Sequence, residues 1–272
     1  MENTKQSSIE IESPQAVYGP VKSWRFGWSL GIDPIFEIST CSFNCIYCQL
    51  GNIQRVTLQR KVYIPTEKII ADFNDLVKQK THFDVITFSG SGEPTLAENL
   101  GEIGRELKKI KPNIPLLVLT NSTNLALPEV QADLQIMDRV IVKLDAADNQ
   151  TLQMMNRPAE GVTLERIVEG IQSFRKVYKG ELDIQMMFMP ANINKVDELA
   201  EIINQIKPDT VQLNTPLRPY PLEWNRDSRG NHNPEPNYAT RTLRVITKEE
   251  AKYAENRLRE LTKLNILSVY RE

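Results

Sequence analysis

The chain alternates between short apolar runs and longer amphipathic segments, and this alternation restricts the folds that it can adopt. Apolar residues recur at helical spacing between the runs, and two capping-box patterns, Thr95-x-x-Glu98 and Thr247-x-x-Glu250, predict helix starts. The runs are mostly apolar throughout, which is typical of parallel strands covered on both faces. The six predicted strands lie at residues 35–39, 85–88, 116–119, 140–144, 182–188 and 211–213.

Repeated strand–helix units with right-handed crossovers build a parallel sheet. Six units are too few to close an eight-stranded barrel. The periodicity therefore predicts an α/β fold, and it leaves open whether the sheet curls into a partial barrel or lies flat between two helix layers.

The length of 272 residues is one at which α/β barrels fold as a single domain. We expect a flexible arm over residues 1–17 and one domain over residues 18–272. Within that domain we place the core at about 33–214, a substrate-side loop at 215–245 and a C-terminal helix at 247–264.

Charge and hydropathy narrow the range of partners. The formal net charge of −2 gives no global attraction to nucleic acid or to anionic membranes, so nucleic acid is a possible but not a favoured partner. No segment reaches the roughly 18 apolar residues of a membrane span, and the N-terminal stretch lacks the apolar core of a secretory signal. We expect a cytoplasmic protein with reduced thiols and no membrane partner.

All three cysteines of the chain form one motif, Cys41-x3-Cys45-x2-Cys48. This spacing lets three thiolates point from one loop towards a common centre, and sulfur ligands suit iron–sulfur clusters or zinc. A cubane cluster has four irons, so three cysteines leave one iron open to a small-molecule ligand.

Zinc and disulfides are the alternatives to an iron–sulfur cluster. A zinc site needs a fourth ligand, but His82 and His232 lie far from the motif and lack the paired spacing of zinc ligands. Disulfide pairing leaves one of three cysteines over, and such close spacing gives poor bridge geometry. The motif favours iron and sulfur, with zinc as the alternative.

Ligands of parallel α/β folds bind where the strands end. After the strand predicted at 85–88, two glycines of Ser-Gly-Ser-Gly-Glu-Pro allow a close backbone approach, and Glu93 adds a carboxylate. Polar residues follow the other predicted strands as well. They predict a site at this end of the sheet, although loops after strands are polar in many proteins.

The cysteine motif, with Tyr47 directly before its last cysteine, resembles the signature of the radical S-adenosylmethionine (radical SAM) enzymes. The resemblance implies a partial (β/α)6 barrel with a parallel sheet open on one side, and a [4Fe–4S] cluster bound by Cys41, Cys45 and Cys48. In that family the open iron chelates SAM, and one electron from the reduced cluster cleaves SAM to a 5′-deoxyadenosyl radical that abstracts hydrogen from the substrate. A low-potential electron donor of the flavodoxin or ferredoxin type is implied as partner.

The resemblance also nominates residues that contact SAM. Residues 89–95 resemble the family's Gly-Gly-Glu-like motif, whose groups hydrogen-bond the SAM ammonium. Polar groups at the ends of the third to fifth strands contact the SAM carboxylate and ribose in that family. The expected cofactor-binding residues are Tyr47, Gly90, Gly92, Glu93, Asn121, Ser122, Lys143, Asp145 and Gln185.

Longer segments resemble the wyosine-synthetase-related group of radical SAM proteins. They are the glycine- and tryptophan-rich residues 18–33, the cysteine motif continued by Gln-Leu-Gly, residues 88–96, Lys143-Leu-Asp-Ala-Ala and Asn156-Arg-Pro. The chain departs from the tRNA enzyme of that group because it has no cysteines for a second cluster and is mildly acidic. The resemblance therefore favours radical chemistry, whereas the departures from the tRNA enzyme disfavour the wyosine reaction.

Residues 215–245 form the longest stretch without periodicity, with five prolines and five arginines. Loops this long in a compact domain are usually functional or disordered. Arginines interleaved with aromatic residues suit single-stranded RNA, or an acidic or peptide substrate, and they equally suit a lid with solvated arginines. The residues that we expect to contact substrate are Arg25, Arg157, Arg218 and Tyr220.

Three hypotheses about function follow. The first is a radical SAM enzyme that acts on a peptide, a protein side chain or a small molecule, including activation of a glycyl-radical partner. The second is a radical SAM enzyme that modifies RNA, which predicts bound RNA and salt-sensitive tRNA binding. The third is a non-catalytic iron–sulfur or zinc protein, which predicts bound metal without cleavage of SAM.

Overall fold

The computed structural model describes residues 15–217, 220–229 and 238–270. Seven α-helices lie in these ranges: α1 (Thr66–Lys78), α2 (Leu100–Ile110), α3 (Pro128–Leu134), α4 (Asn149–Met155), α5 (Leu164–Val177), α6 (Val196–Ile206) and α7 (Lys248–Thr262). The strands of the same ranges are β1 (Val17–Ser23), β2 (Gly27–Ile32), β3 (Thr40–Cys41), β4 (Arg55–Val56), β5 (Val85–Phe88), β6 (Leu116–Thr120), β7 (Arg139–Lys143), β8 (Glu181–Met187), β9 (Thr210–Asn214), β10 (Tyr220–Pro221), β11 (Thr240–Arg241) and β12 (Asn265–Ser268).

One eight-stranded sheet organises the chain, in the order β1-β2-β5-β6-β7-β8-β9-β12. β1 and β2 form an antiparallel hairpin, and every following pair of neighbours is parallel. The sheet curls into a half-barrel, which confirms the predicted α/β fold with a partial barrel. β1 and β12 are its two edges, so the barrel is open between them.

Apolar side chains fill the space between the sheet and the helices. The main core includes Phe73 of α1, Phe88 of β5 and Phe174 of α5, all fully buried. The inner face of the sheet is more polar, because Lys143 of β7 and Gln185 of β8 point to the opposite side from their buried neighbours. The interior of the barrel is therefore lined for ligand contact near the carboxyl ends of the strands.

The predicted strand at residues 35–39 is wrong. Asp33 ends β2 by accepting hydrogen bonds from the backbone N–H groups of Ile35 (3.1 Å) and Phe36 (2.9 Å), and Phe36 has a φ of 62°. The apolar side chains of Ile35 and Phe36 are buried in a turn rather than in a strand. The first parallel strand of the barrel is β2, and β12, which was not predicted, adds a strand after the sixth unit.

The two capping-box predictions have different outcomes. Thr247 caps α7, since its hydroxyl accepts from the Glu250 N–H at 3.1 Å and the Glu250 carboxylate accepts from the Thr247 N–H at 2.7 Å. The helix start predicted at Thr95 is wrong. The Thr95 hydroxyl donates to Glu93 Oε1 at 2.7 Å, and residues 94–96 form a single 3-10 turn that ends before α2 begins at Leu100.

The ends of the predicted domain also differ from the structure. Ala16 and Val17 were placed in the flexible arm, but both are buried, and the Ala16 N–H donates to Asp72 of α1 at 2.9 Å. The sheet extends beyond the core range of 33–214 on both sides through β1, β2 and β12. Among the described helices, none has both the length and the apolar character needed to cross a membrane.

Candidate functional site

The three cysteine side chains line one cavity of about 270 Å³ at the carboxyl ends of the parallel strands. Cys41 ends β3, which pairs with β4 and forms a bridge from Thr40 to Gly92, and Cys45 and Cys48 follow in the next turn. We call this space the cysteine cavity. Of the residues expected to bind a cofactor, the structure brings six to its wall: Gly90, Gly92, Glu93, Asn121, Lys143 and Gln185.

Amide groups point at the sulfur atoms from three parts of the chain. Asn121 Nδ2 lies 3.4 Å from Cys41 Sγ, and the Phe43 backbone N–H donates to the same sulfur at 3.4 Å. Asn156 Nδ2 lies 3.5 Å from Cys45 Sγ. Hydrogen bonds to sulfur ligands are one of the means by which proteins set the potential of iron–sulfur clusters.

Burial raises the pKa of each of the three thiols. For Cys45 the pKa rises to about 12, with the charge of Cys48 as the second cause. The pKa of Cys41 is also raised by burial and then by the carboxylate of Glu93, whereas Arg241 works against the burial that raises the pKa of Cys48. The thiols therefore need a bound cation to become thiolates at neutral pH.

Two glycines of the loop after β5 stand where no side chain fits. A Cβ at Gly92 would lie 1.7 Å from the carbonyl oxygen of Thr40, so this loop packs directly against β3. Gly90 has a φ of +141°, and a Cβ there would lie 2.3 Å from Cγ of Asp33. The glycines keep the backbone of the loop in the wall of the cysteine cavity.

Glu93 is buried and holds the neighbouring loops together. Its Oε1 accepts from the Thr95 N–H, the Thr95 hydroxyl and the Thr120 hydroxyl, and its Oε2 accepts the Asn121 N–H at 2.6 Å. Burial raises the pKa of the Glu93 carboxyl, against the effect of these donors. Because Oε2 takes one donor, it retains a lone pair for a cationic ligand in the cavity.

Tyr47 and Asp145 form a buried pair behind the cysteine loop. The Tyr47 hydroxyl donates to Asp145, which also accepts Asn156 Nδ2 at 3.0 Å and the Met187 N–H at 2.6 Å. Lys143 Nζ lies 3.0 Å from Asp145 Oδ1 and 5.1 Å from the Tyr47 ring centroid. Asp145 thus fixes the cysteine loop and Lys143 from behind, and it does not line the cysteine cavity.

Lys143 Nζ is buried and makes no hydrogen bond of good geometry within the described residues, in spite of the ion pair with Asp145. An ammonium group has three N–H donors, and a buried donor without an acceptor is costly. The side chain lies in the wall of the cavity, where a ligand could supply the acceptor.

A second cavity of about 390 Å³ continues from the first and runs along the open side of the barrel. β1 contributes Val21 to its lining, and Val269, directly after β12, also lines it. Eight residues line both cavities and stand where the two spaces meet: Tyr18, Cys48, Gln49, Ser89, Leu119, Lys143, Gln185 and Arg229. We call this second space the lateral cleft.

The remaining predicted residues lie in different places. Tyr47, Tyr220 and Arg25 line the lateral cleft. Ser122 is buried with a φ of 75° and lines neither cavity, and Arg157 is exposed and away from both. Arg218 and His232 lie outside the described residues, and His82 is exposed beside Asp84, so it does not approach the cysteines.

Three residues at the site were not predicted. Asn156 was noted only within a motif, although it contacts Cys45, Tyr47 and Asp145. Tyr18 donates to or accepts from Ser89 at 2.7 Å, and Arg229 forms an ion pair with Asp33 at 2.8 Å. Their partners are distant in sequence. The signals for the last two were the resemblance of residues 18–33 to one branch of the family and the arginine-rich composition of residues 215–245.

The cysteine cavity fits an iron–sulfur cluster and a small organic cation better than a single metal ion. Within the described ranges, no group of three or more His, Cys, Asp or Glu side chains is arranged to hold one ion. A cubane distributes its thiolates over separate irons. The amide contacts to sulfur, the open lone pair of Glu93 and the Lys143 Nζ, which is paired with Asp145 but makes no hydrogen bond, suit a cluster with an adjoining ligand.

Residues 38–203 match the model of the radical SAM superfamily. This is more than half of the chain, so the chain belongs to the radical SAM superfamily, whose enzymes use a [4Fe–4S] cluster and SAM. Among curated proteins it is similar to a UPF0026 protein of Synechocystis sp., with 47% identity over 232 residues that cover 85% of this chain and 86% of the relative. Neither relation identifies the wyosine-related branch.

Solved structures support the same fold. SuiB of Streptococcus suis bound to precursor peptide SuiA superposes with a TM-score of 0.58 at 14% identity, over 88% of this chain and 48% of SuiB. The enzyme anSMEcpe with bound AdoMet gives a TM-score of 0.58 at 18% identity, over 89% of this chain and 64% of that chain. The chain spans about half the length of SuiB, and at these identities the likeness shows the fold.

Proposed function

We propose that this radical SAM enzyme abstracts hydrogen from a peptide, a protein side chain or a small molecule that enters through the lateral cleft. The observation that carries the proposal is the continuity of the two cavities. The three thiols line one cavity, and Tyr18, Lys143, Gln185 and Arg229 join it to a cleft along the open edge of the sheet. A substrate in the cleft would therefore lie next to SAM.

Different residues of the cysteine cavity would bind the cluster and SAM. Cys41, Cys45 and Cys48 would bind three irons, and the Glu93 Oε2 with the backbone around Gly90 and Gly92 would accept the SAM ammonium. Asn121, Lys143 and Gln185 line the remaining wall and would donate to the SAM carboxylate or ribose. When bound, the reduced cluster supplies the electron that cleaves SAM to the hydrogen-abstracting radical.

The protein itself positions these groups and excludes water. Apolar side chains of Phe43, Ile53, Leu119 and Ile141 form part of the cavity wall, which limits the access of water to a reactive radical. The electron donor of the flavodoxin or ferredoxin type and the cytoplasmic location remain predictions.

RNA-base modification related to the wyosine reaction is the alternative. It is favoured by the position of residues 18–33, which resemble that branch and form the β1–β2 hairpin beside the lateral cleft. Against it stand the absence of further cysteines for a second cluster and the net charge of −2. Copurified RNA, and tRNA binding that weakens steeply with salt, would favour this alternative.

The decisive experiment is anaerobic reconstitution of the cluster followed by an assay for 5′-deoxyadenosine with SAM and dithionite. We expect the wild type and Met154→Ala, which alters an exposed sulfur-bearing side chain, to form the product. We expect Cys45→Ala to bind less iron and to form none. A wild-type protein with a complete cluster and no product would instead support a non-catalytic iron–sulfur protein.

A further inference from the structure

The segment that follows the cysteine loop lies entirely on the surface. Residues 54–62, which include β4, are all exposed or half-buried. Hydrogen bonds fix the backbone of this segment, from the Arg55 N–H to the Ser39 carbonyl at 3.0 Å and from the Lys61 N–H to the Leu96 carbonyl at 3.0 Å. We call residues 54–62 the β4 strip. It presents its side chains to solvent from a fixed backbone.

The exposed side chains of the β4 strip are apolar and basic. Three large apolar side chains are exposed, those of Val56 (42%), Leu58 (38%) and Val62 (50%). Arg55 and Lys61 are exposed beside them. Residues 38–66 contain no aspartate or glutamate, although the chain has 35 acidic residues. A surface of this composition suits a protein partner that has carboxylates around an apolar centre.

The two exposed cations of the strip have no ion-pair partner among the residues that the structure describes. Lys61 Nζ lies 4.9 Å from the ring centroid of Tyr63. Burial raises the pKa of the Tyr63 phenol and the charge of Arg55 acts against it, so both cations stand near this ring. The third cation, Arg60, is half-buried and already pairs with Asp133 at 2.8 Å. The charge that a partner would meet therefore comes from Arg55 and Lys61.

One exposed carboxylate stands near these cations. The Glu98 N–H donates to the Lys61 carbonyl at 3.1 Å, and the charge of Glu98 is a further cause of the raised pKa of Tyr63. Its carboxylate forms no ion pair with either Arg55 or Lys61. Glu98 therefore reduces the local positive charge without neutralising either cation.

The β4 strip is joined directly to the first cysteine of the motif. Val56 is the register partner of Cys41 in the parallel β3–β4 pair, and the Thr57 N–H donates to the Cys41 carbonyl at 2.9 Å. One hydrogen bond and the backbone of Cys41 therefore connect this surface with a thiol that would bind the cluster. Because electron transfer weakens steeply with distance, this connection offers an electron a short route.

Other sides of the cysteine loop are covered by the chain. The Ile46 N–H donates to the Met155 carbonyl at 2.9 Å on the side of α4. The Asn225 N–H donates to the Leu50 carbonyl at 2.8 Å. Arg241 Nη2 donates to the Ile46 carbonyl at 2.7 Å. SAM and substrate would fill the two cavities, so the β4 strip is a surface that stays accessible when both are bound.

We propose that the β4 strip is the docking surface of the electron donor, an acidic protein that carries a low-potential electron and whose carboxylates face Arg55 and Lys61. Val56, Leu58 and Val62 would form the apolar centre of the contact. Interfaces between redox partners are at the small end of protein interfaces, which suits so short a strip. In the step itself, the donor loses one electron and the oxidised cluster gains it, and no bond is formed or broken.

The inference rests on the proposed function, because it assumes that a cluster bound by the three cysteines has to be reduced. It adds the surface on which the donor binds and the charges that recognise it. The same two cations would steer an acidic protein towards the strip over a longer range than the apolar contacts can act.

The experiment mixes the anaerobic, reconstituted protein with two reduced probes, a purified acidic flavodoxin and a purified acidic ferredoxin, and follows the bleaching of the cluster absorbance by stopped flow. Calorimetry measures binding of the oxidised probes, at low and at high salt. The proteins are the wild type, the double variant Arg55→Glu with Lys61→Glu, and a matched control, Lys248→Glu with Lys252→Glu. The control makes the same change of charge at exposed positions of α7. Dithionite serves as a small reductant that needs no docking surface.

We expect at least one probe to bind the wild type and the control equally and to reduce their clusters at the same rate. Its reduction of the double variant should be roughly tenfold slower or worse, within the range by which electrostatic steering changes association rates. Reduction of the wild type by this probe should slow as salt rises, because salt screens exposed charges. Dithionite should reduce all three proteins at similar rates.

Several results would overturn the proposal. One is binding and reduction that are unchanged in the double variant, and another is a wild type that binds neither probe. A third is a different occupant of the strip. In that case the double variant would change the sedimentation of the protein alone, or would lose salt-sensitive binding of tRNA, while the reactions with both probes stay as in the wild type.

Two further measurements keep the proposal testable if the double variant does not fold. Arg55→Gln with Lys61→Gln removes the charges without reversing them and should give a smaller decrease in the rate. A carbodiimide, which joins an amine to a carboxylate, should cross-link Lys61 of the wild type to the donor that reduces it. Mass spectrometry of the cross-linked peptides identifies the site, and cross-links that avoid Lys61 would contradict the docking surface.

Failure of this inference and failure of the proposed function give different results. Formation of 5′-deoxyadenosine with dithionite, together with donor reactions that do not depend on the strip, would defeat only the docking surface. Reduction of the cluster by a donor bound at the strip, without 5′-deoxyadenosine when SAM is added, would defeat only the proposed hydrogen abstraction.

Discussion

Asn156 shows how a single side chain can link the cysteine loop to the barrel. Its Nδ2 donates to the Tyr47 hydroxyl at 2.7 Å and to Asp145 at 3.0 Å, and it approaches Cys45 Sγ. Its own backbone carbonyl accepts the Asn44 N–H at 3.0 Å. The residue therefore positions one thiol by holding the loop on both sides of it.

We expect Asn156→Ala to lower the free energy of unfolding of the metal-free protein by about 2 kcal/mol, because buried acceptors lose their donor. The variant should also retain less iron after reconstitution. Urea unfolding and iron per chain measure the two effects, and Asn113→Ala, at an exposed position, serves as the control. Full iron content in Asn156→Ala would show that Cys45 does not depend on this amide.

The buried phenol of Tyr18 makes the stability of the folded protein fall at high pH. Burial raises the pKa of its phenol to about 12, with the hydrogen bond to Ser89 acting in the opposite direction. The unfolded phenol ionises near pH 10, so the stabilisation is complete below about pH 10 and is lost as the pH rises through about 12. The amount is about 2–3 kcal/mol by linkage.

In Tyr18→Phe, the unfolding free energy should therefore fall less steeply between about pH 10 and 12 than it does in the wild type. The variant should be less stable at neutral pH by about 1 kcal/mol, because Ser89 loses its partner. Denaturant unfolding across this pH range measures both effects, with Tyr253→Phe, at an exposed ring, as control. Identical slopes in Tyr18→Phe and the wild type would contradict the assignment.

At the scale of elements, residues 220–229 with β11 form a strap across the cysteine loop. The Asn225 N–H donates to the Leu50 carbonyl at 2.8 Å, and Arg241 Nη2 donates to the Ile46 carbonyl at 2.7 Å. At the far end of the strap, Arg229 pairs with Asp33 and lies over the rings of Tyr18 and Phe36. The strap thus joins the cysteine loop to the end of β2.

We expect Arg229→Ala to destabilise the protein by about 3 kcal/mol, because it leaves the buried Asp33 carboxylate without a counter-charge. Proteolysis within residues 215–245 should become faster at the same time, since the strap loses its anchor. The control is Arg257→Ala, which removes a largely solvated pair with Asp197 and should change stability little. Equal loss in the two variants would contradict the anchoring role of Arg229.

The elements that could be predicted are those whose own residues determine their structure. β5 to β9 were located within one or two residues, because each is an apolar run buried on its outer face. The β1–β2 hairpin was missed because its sequence lacks a regular apolar pattern, and the reason is a contact between the two strands. The ring of Tyr18 lies over Gly31, where a Cβ would stand 2.2 Å from Cζ, so a glycine replaces the expected apolar residue.

The site was predictable to the extent that residues follow strand ends. Gly90, Gly92, Glu93 and Asn121 reach the cysteine cavity for that reason, whereas Lys143 and Gln185 reach it from within β7 and β8. Asp145 and Ser122 follow the same rule in sequence, but Asp145 accepts from Tyr47 behind the wall and Ser122 donates to the Lys143 carbonyl at 3.4 Å. Side-chain direction after the last strand residue depends on tertiary partners that a single sequence does not show.

At the scale of the whole molecule, the barrel and the cysteine loop differ in the interactions that stabilise them. The barrel rests on a continuous apolar core between its strands and the surrounding helices, and no cysteine is among the buried members of that core. The loop buries Phe43 in that core and Tyr47 in a smaller cluster. It is otherwise held by hydrogen bonds at its rim, such as those from the Ile46 N–H to the Met155 carbonyl at 2.9 Å and from the Ala159 N–H to the Ser42 carbonyl at 2.8 Å. Stability should therefore divide into a barrel and a metal-dependent part.

Removal of iron by anaerobic chelation should leave the barrel folded and loosen the cysteine loop with its strap. Because the cluster binds the folded loop, its loss should lower the thermal midpoint by mass action. Hydrogen exchange should show faster exchange in residues 41–57 and 220–229, and unchanged protection in β5 to β8. Cooperative unfolding of the whole sheet on iron removal would contradict this division, because the core packing of the barrel would then depend on the metal.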